Sequence, residues 1–176
     1  MTAPPAPSGA AILSAIKDAG VRHVVALPDI VTSDGLLWPV ARDPDLHLIR
    51  IAKEDEGVSI CAAMSYSGGR AVLLMQQTGL MDSLNAIRAI GMEYGLPVVM
   101  IVGLQGKERD RAIEDSSAYG VRIVPGVLSA MELPFSRVER AGDEGGVTGA
   151  IEGAYARSGP HCVLIGQPPA GPGAER

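Results

Sequence analysis

The sequence predicts an α/β protein: a single doubly wound, mainly parallel sheet with helices on both faces. Three observations carry that expectation. Strand-like apolar runs alternate with helix-like segments along the 176 residues. The runs at 70–76, 97–103 and 161–166 are continuously apolar, as strands buried on both faces are, instead of alternating. Right-handed crossovers between such strands build an open sheet whose ligand crevice lies beyond the carboxyl ends of the strands.

The elements follow in chain order. Residues 1–7 are small and Pro-rich and are expected to be disordered. Ile12, Leu13 and Ile16 have helical spacing behind a possible Ser8 cap, with Gly20 as the stop. A β-branched run at 21–27 and another at 47–52 read as strands, each followed by a turn or an acidic helix start. Residues 54–67 read as a helix of small residues, and 80–94 as a helix with Leu84, Ile87 and Ile90 on one face. Residues 105–139 carry the weakest pattern, with a helix whose limits near 119–131 are open. A helix over 145–157, the run at 161–166 and a Pro/Gly-rich tail at 168–176 complete the chain, so the domain is expected to span 8–167.

Composition narrows the function. The formal net charge is −5 and no run of Lys and Arg exists to displace phosphate counterions, which argues against nucleic acid or an anionic membrane. No apolar run approaches the ~20 residues of a membrane span, and no basic leader precedes an apolar stretch. A cytoplasmic location is expected. Cys61 and Cys162 stand alone in apolar runs and read as buried thiols. His23, His47 and His161 open predicted strands and read as structural, the methionines as core filling, and the alternating charges of 107–111 as a solvated loop.

Two stretches sit where such a sheet binds ligands. Leu27-Pro28-Asp29 follows the first strand, and Asp29 either faces a ligand or caps the next turn, capping being the commoner role. Neither a GxGxxG nor a GxxxxGK[ST] loop follows, so no nucleotide fingerprint is present. Then Glu54, Asp55 and Glu56 open a helix directly after a strand. Acidic residues in a first helical turn are stabilised by the helix dipole at roughly 0.3–1 kcal/mol each, so a purely structural role explains all three.

The downstream context adds a resemblance. Glu54-Asp55-Glu56-Gly57-Val58 is followed by Leu74-Met75-Gln76-Gln77-Thr78-Gly79-Leu80-Met81-Asp82, then Asn85, then Tyr94-Gly95-Leu96-Pro97. This order resembles the pyrimidine-binding domain of thiamine-diphosphate-dependent 2-oxo acid decarboxylases, the sulfopyruvate and phosphonopyruvate decarboxylases in particular, over about residues 8–167.

The resemblance implies an alpha-type subunit that converts a 2-oxo acid, such as sulfopyruvate or phosphonopyruvate, to an aldehyde and CO₂. It places the carboxylate that hydrogen-bonds N1′ of the aminopyrimidine on Glu54, and cofactor contacts on Pro28, Asp29, Gln77, Thr78 and Gly79. It puts the substrate pocket near Ile30 and Ser116, where relatives often carry a small polar residue and a histidine. Thiamine diphosphate is then shared with a beta-type subunit whose Gly-Asp-Gly motif holds the diphosphate and Mg²⁺. This chain lacks that motif, Gly142-Asp143-Glu144 reading as a turn, so a hetero-oligomer is implied and the chain alone would be inactive. Two other readings stay open: a non-catalytic or regulatory pyrimidine-domain subunit, and a flavodoxin-like module for another small ligand.

Overall fold

The computed structural model describes residues 5–171, so positions 1–4 and 172–176 of the two predicted terminal segments lie outside the described residues. Six strands form one sheet: β1 His23–Ala26, β2 His47–Arg50, β3 Ala71–Gln76, β4 Val99–Gly103, β5 Phe135–Val138 and β6 His161–Ile165. All neighbours run parallel, in the order β2-β1-β3-β4-β6-β5. The helices are α1 Gly9–Asp18, α2 Trp38–Val40, α3 Glu54–Tyr66, α4 Gln77–Asp82, α5 Leu84–Ala86, α6 Tyr119–Arg122, α7 Val124–Ala130 and α8 Gly146–Arg157. The doubly wound α/β class is the one the sequence predicts.

The pleat sorts the strand side chains into two cores. Val24, Val72, Leu74, Val99, Ile101 and Val163 pack with Ile12 and Ile16 of α1 and Ile151 of α8. Their neighbours Val25, Leu73, Met75, Met100, Val102 and Leu164 pack with Val58 and Cys61 of α3 and with α4 to α7. The inner strands β1, β3, β4 and β6 are thus covered on both faces, which is why their runs do not alternate. Fully burying one such aliphatic side chain is worth ~1.5–3 kcal/mol, and with so few aromatics these side chains carry the fold.

Local signals hold where they rest on backbone chemistry. The Ser8 hydroxyl accepts from the Ala11 amide (3.3 Å), and Gly20 takes φ +76° after α1. Two features differ from expectation. The helix expected at 80–94 begins at Gln77 and is broken at Ser83, continuing through α5 into a π-helical segment, Ile87–Glu93. Strand β5 was not foreseen, because an edge strand reading Phe-Ser-Arg-Val and only half-buried lacks the apolar run that marks the others. Residues 5–9 run beside the tail: Pro7 O accepts from the Ala170 amide (2.8 Å) and Ala170 O from the Gly9 amide (3.0 Å).

All three histidines open strands, as predicted. Arg157 Nη2 lies 3.1 Å from His161 Nδ1, which leaves the ring proton on Nε2, directed at Ser136 Oγ (3.1 Å). Burial, reinforced by the Arg157 charge, pushes His161 down to about 4 from 6.5. The unfolded chain takes up this proton near 6.5 and the folded chain only near 4, so acidification across that window removes stability. We predict that the urea midpoint, followed from pH 7 to pH 4, falls less steeply in His161→Gln than in the wild type. Parallel slopes would contradict a buried neutral imidazole.

Candidate active site

Strand β1 lies between β2 and β3, so the chain crosses back over β1 on its way from β2 to β3. The connections diverge there, and the crevice at the carboxyl ends of β1 and β3 is where an open α/β sheet binds ligands. The loop after β1 brings Pro28, Asp29 and Ile30 to this edge, the start of α3 brings Glu54, and α4 begins immediately after β3 with Gln77, Thr78 and Gly79.

The structure separates the three carboxylates by their partners. Glu56 turns back to accept from the amides of Ala52 (3.1 Å) and Lys53 (3.2 Å), satisfying two donors that a helix start leaves open. Asp55 pairs with Lys53 (3.4 Å), which also reaches Asp82 at the end of α4 (3.2 Å). Glu54 has no hydrogen bond or ion pair among the described residues. It is half-buried and lies on Gly79, where an added Cβ would overlap its Cγ, Cδ and Oε1. Helix α3 reaches this position because Gly57 packs on β3; a Cβ there would overlap Leu73 Cδ1 and lie 2.9 Å from Ile51 Cδ1.

The remaining predicted residues divide into those facing the edge and those bracing it. Asp29 is a cap: Oδ1 accepts from the amides of Val31 (2.6 Å) and Thr32 (2.8 Å), and Oδ2 from the Thr32 hydroxyl. Pro28 and Ile30 are exposed beside it, Ile30 by 73 %. Gln77 is buried and turns away from solvent. Its Nε2 donates to Gln105 O (3.0 Å) and its Oε1 accepts from the Gln105 amide (2.8 Å), clamping the loop after β4 to the start of α4. Thr78 is exposed and its hydroxyl meets Gln76 Nε2 (3.1 Å).

Ser116 is buried in the loop that leaves β4 and donates to Glu108 Oε2 (2.6 Å), while the other Glu108 oxygen accepts from the amide (2.9 Å) and hydroxyl of Ser117. Those bonds, the Ser116 hydroxyl first, hold the Glu108 carboxyl down to about 2. Lys107 departs from the solvated reading of this charge run. Its side chain is only 3 % exposed, donates to Glu108 O (2.6 Å) and Arg111 O, and pairs with Glu139 at the end of β5 (3.4 Å). Lys107, Glu108 and Gln105 therefore organise this edge, and no local pattern announces it, since each works through partners distant in sequence or through backbone groups.

The division of labour among the carboxylates is testable by stability alone. Glu56→Ala should lower unfolding free energy by ~1 kcal/mol through the lost cap, whereas Glu54→Ala should change it by less than ~0.5 kcal/mol. Urea unfolding of the two variants checks this, and a larger loss in Glu54→Ala would assign the cap to the wrong residue.

No cluster of three or more metal-ligating side chains occurs among the described residues. No family model matches the chain. Individual proteins do. The chain is 30% identical over 128 residues to sulfopyruvate decarboxylase subunit alpha of Methanothermobacter thermautotrophicus, a match covering 73% of this chain and 76% of that one. It is 31% identical over 101 residues to the protein of the same name from Methanococcus maripaludis, covering 57% and 60%. The sulfopyruvate decarboxylase of Methanosarcina acetivorans is 26% identical over 155 residues, covering 88% of this chain and 38% of that longer one. With about three quarters of both chains aligned in the first of these matches, this chain belongs to the family of sulfopyruvate decarboxylase alpha subunits.

Proposed function

We propose that this chain is the pyrimidine-binding half of a thiamine-diphosphate-dependent carboxy-lyase that acts on sulfopyruvate or a similar anionic 2-oxo acid, with Glu54 as its working carboxylate. The observation that carries this reading is Glu54 itself: half-buried at the switch point, seated on Gly79, and without the partners that occupy Asp55 and Glu56. A carboxylate held this way fits a ring nitrogen that must share a proton with it. When bound, thiamine diphosphate supplies the electron sink for the pair released as the acid loses CO₂.

The chain's own residues then have distinct tasks. Glu54 holds the proton at N1′ of the aminopyrimidine. Gly79 leaves room for the carboxylate, and Asp29 shapes the neighbouring loop from within. Gln77 fixes the turn that carries Thr78 and Gly79 against the loop after β4. These residues fit the aminopyrimidine and not the diphosphate or its Mg²⁺. Gly142-Asp143-Glu144 is committed to a turn, where Asp143 Oδ2 accepts from the amides of Glu139 (2.9 Å) and Arg140 (3.1 Å). A beta-type partner is therefore assigned the diphosphate, the metal and part of the substrate pocket. The "subunit alpha" names of two relatives support that assignment, as does the longer Methanosarcina protein, of which this chain matches 38%. Two buried free thiols suit a reducing cytoplasm.

One observation favours a second reading, a pyrimidine-domain subunit without turnover. Ser116 is buried and committed to Glu108, where the resemblance places a histidine facing the substrate. Both readings meet the same assay. With a Gly-Asp-Gly-bearing partner subunit, thiamine diphosphate and Mg²⁺, the wild type should release CO₂ from sulfopyruvate, and Glu54→Gln should lose ~10²-fold or more in kcat with assembly unchanged. Undiminished turnover in Glu54→Gln would refute the role of Glu54. Cofactor binding without turnover in the wild type would favour the second reading.

A further inference from the structure

The loop after β4 braces the turn on which Glu54 rests, and one buried lysine holds that loop. Residues 104–118 form a longer connection than most, with only the 3₁₀ turn Ile113–Asp115 as regular structure. Its first residues are nevertheless tightly folded. The Lys107 amide donates to Leu104 O (3.2 Å) and Gly106 takes φ +89°, the conformation that a type II turn gives its third residue. Gln105 and Lys107 therefore belong to one rigid turn.

The Lys107 side chain fixes that turn in place. Its buried ammonium donates to Glu108 O (2.6 Å) and Arg111 O, which closes the loop on itself, and pairs with Glu139 Oε1 (3.4 Å), which ties the loop to the end of β5. A buried cation that loses such partners is left without compensation, so this anchor is costly to release.

From Gln105 the linkage passes to α4. The buried Gln77 side chain takes both backbone groups of Gln105 (3.0 and 2.8 Å), and Gln77 is the first residue of α4. Gly79, in the same helical turn, lies against the Glu54 carboxylate with no room for a methyl group between them. The contacts thus run in series: Glu139 to Lys107, Gln105 to Gln77, Gly79 to Glu54.

We propose that Lys107 is a positioning residue for Glu54: it locks the turn that carries Gln105, and through Gln77 it sets the first turn of α4, on which the carboxylate is seated. The inference rests on the reading of Glu54 as the working carboxylate and adds the group that fixes it from the far side of the sheet edge.

Two measurements test it. In the chain alone, hydrogen exchange at the Gln105 amide reports the clamp, because that amide donates to Gln77 Oε1. Lys107→Met should speed this exchange at least ~10-fold while leaving the β4 amides protected. In the complex assembled with the partner subunit, deuterium exchange at C2 of bound thiamine diphosphate should slow ~10-fold in Lys107→Met and in Gln77→Met, since small displacements of a working group cost rate steeply. The double variant should also be slowed ~10-fold and not ~100-fold, because both substitutions release the same turn. Glu139→Gln keeps the shape of the ion-pair partner and should shift both readouts in the same direction by less; it serves as the test if Lys107→Met does not fold. A loss of stability with unchanged Gln105 protection and unchanged C2 exchange would make Lys107 structural only and overturn the proposal, as would a multiplicative double variant. Wild-type C2 exchange in Glu54→Gln would instead remove the reading of Glu54, and Gln105 protection would still decide whether Lys107 holds the clamp.

Discussion

Everything at the carboxyl edge of this sheet depends on how closely α3 can approach β3. Gly57 brings the helix against Leu73 and Ile51 with no room for a methyl group, and Gly79 repeats the condition one layer higher, under the Glu54 carboxylate. Larger residues at either place would lift the start of α3 away from the sheet and carry Glu54 with it. The small-residue character of the helix is thus a statement about position. It decides where one charge sits relative to the crevice between β1 and β3.

A second condition acts through capping. A helix beginning directly after a strand leaves amides open, and one carboxylate must serve them. Glu56 does so, which leaves Glu54 available for something outside the chain. The same economy recurs around the edge. Asp29 satisfies the amides of its own turn, Gln77 takes both backbone groups of Gln105, and Glu108 gathers Ser116 and Ser117. Loops tied by polar side chains to backbone groups need no reorganisation when a ligand arrives, which is the property electrostatic catalysis requires.

Much of the fold was legible because it rests on local rules. Buried parallel strands are apolar throughout, Ser8 caps α1, Gly20 ends it, and the interior thiols lie in apolar runs. Strand β5 was not legible, since Phe-Ser-Arg-Val is short, half-buried and interrupted by Ser136 and Arg137, with no apolar run to mark it. The site was half legible. Spacing alone leaves Glu54, Asp55 and Glu56 equivalent; the resemblance points to Glu54, and the structure separates the three by the partners that Asp55 and Glu56 take. The anchoring contacts of Lys107 and Gln77 were not legible, because they depend on Glu139 and Gln105, 32 and 28 positions further along the chain, and no periodicity encodes such pairings.

In the proposed reading the chain presents one carboxylate, Glu54, at a pre-formed edge, and a partner subunit supplies the rest of the chemistry. The most direct measurement of that claim is the rate at which the thiazolium C2 proton of thiamine diphosphate exchanges with deuterium in the assembled complex, followed by NMR. The account predicts exchange slowed ~10²-fold or more in Glu54→Gln and at the wild-type rate in Glu56→Gln. Equal rates in Glu54→Gln and wild type would contradict it.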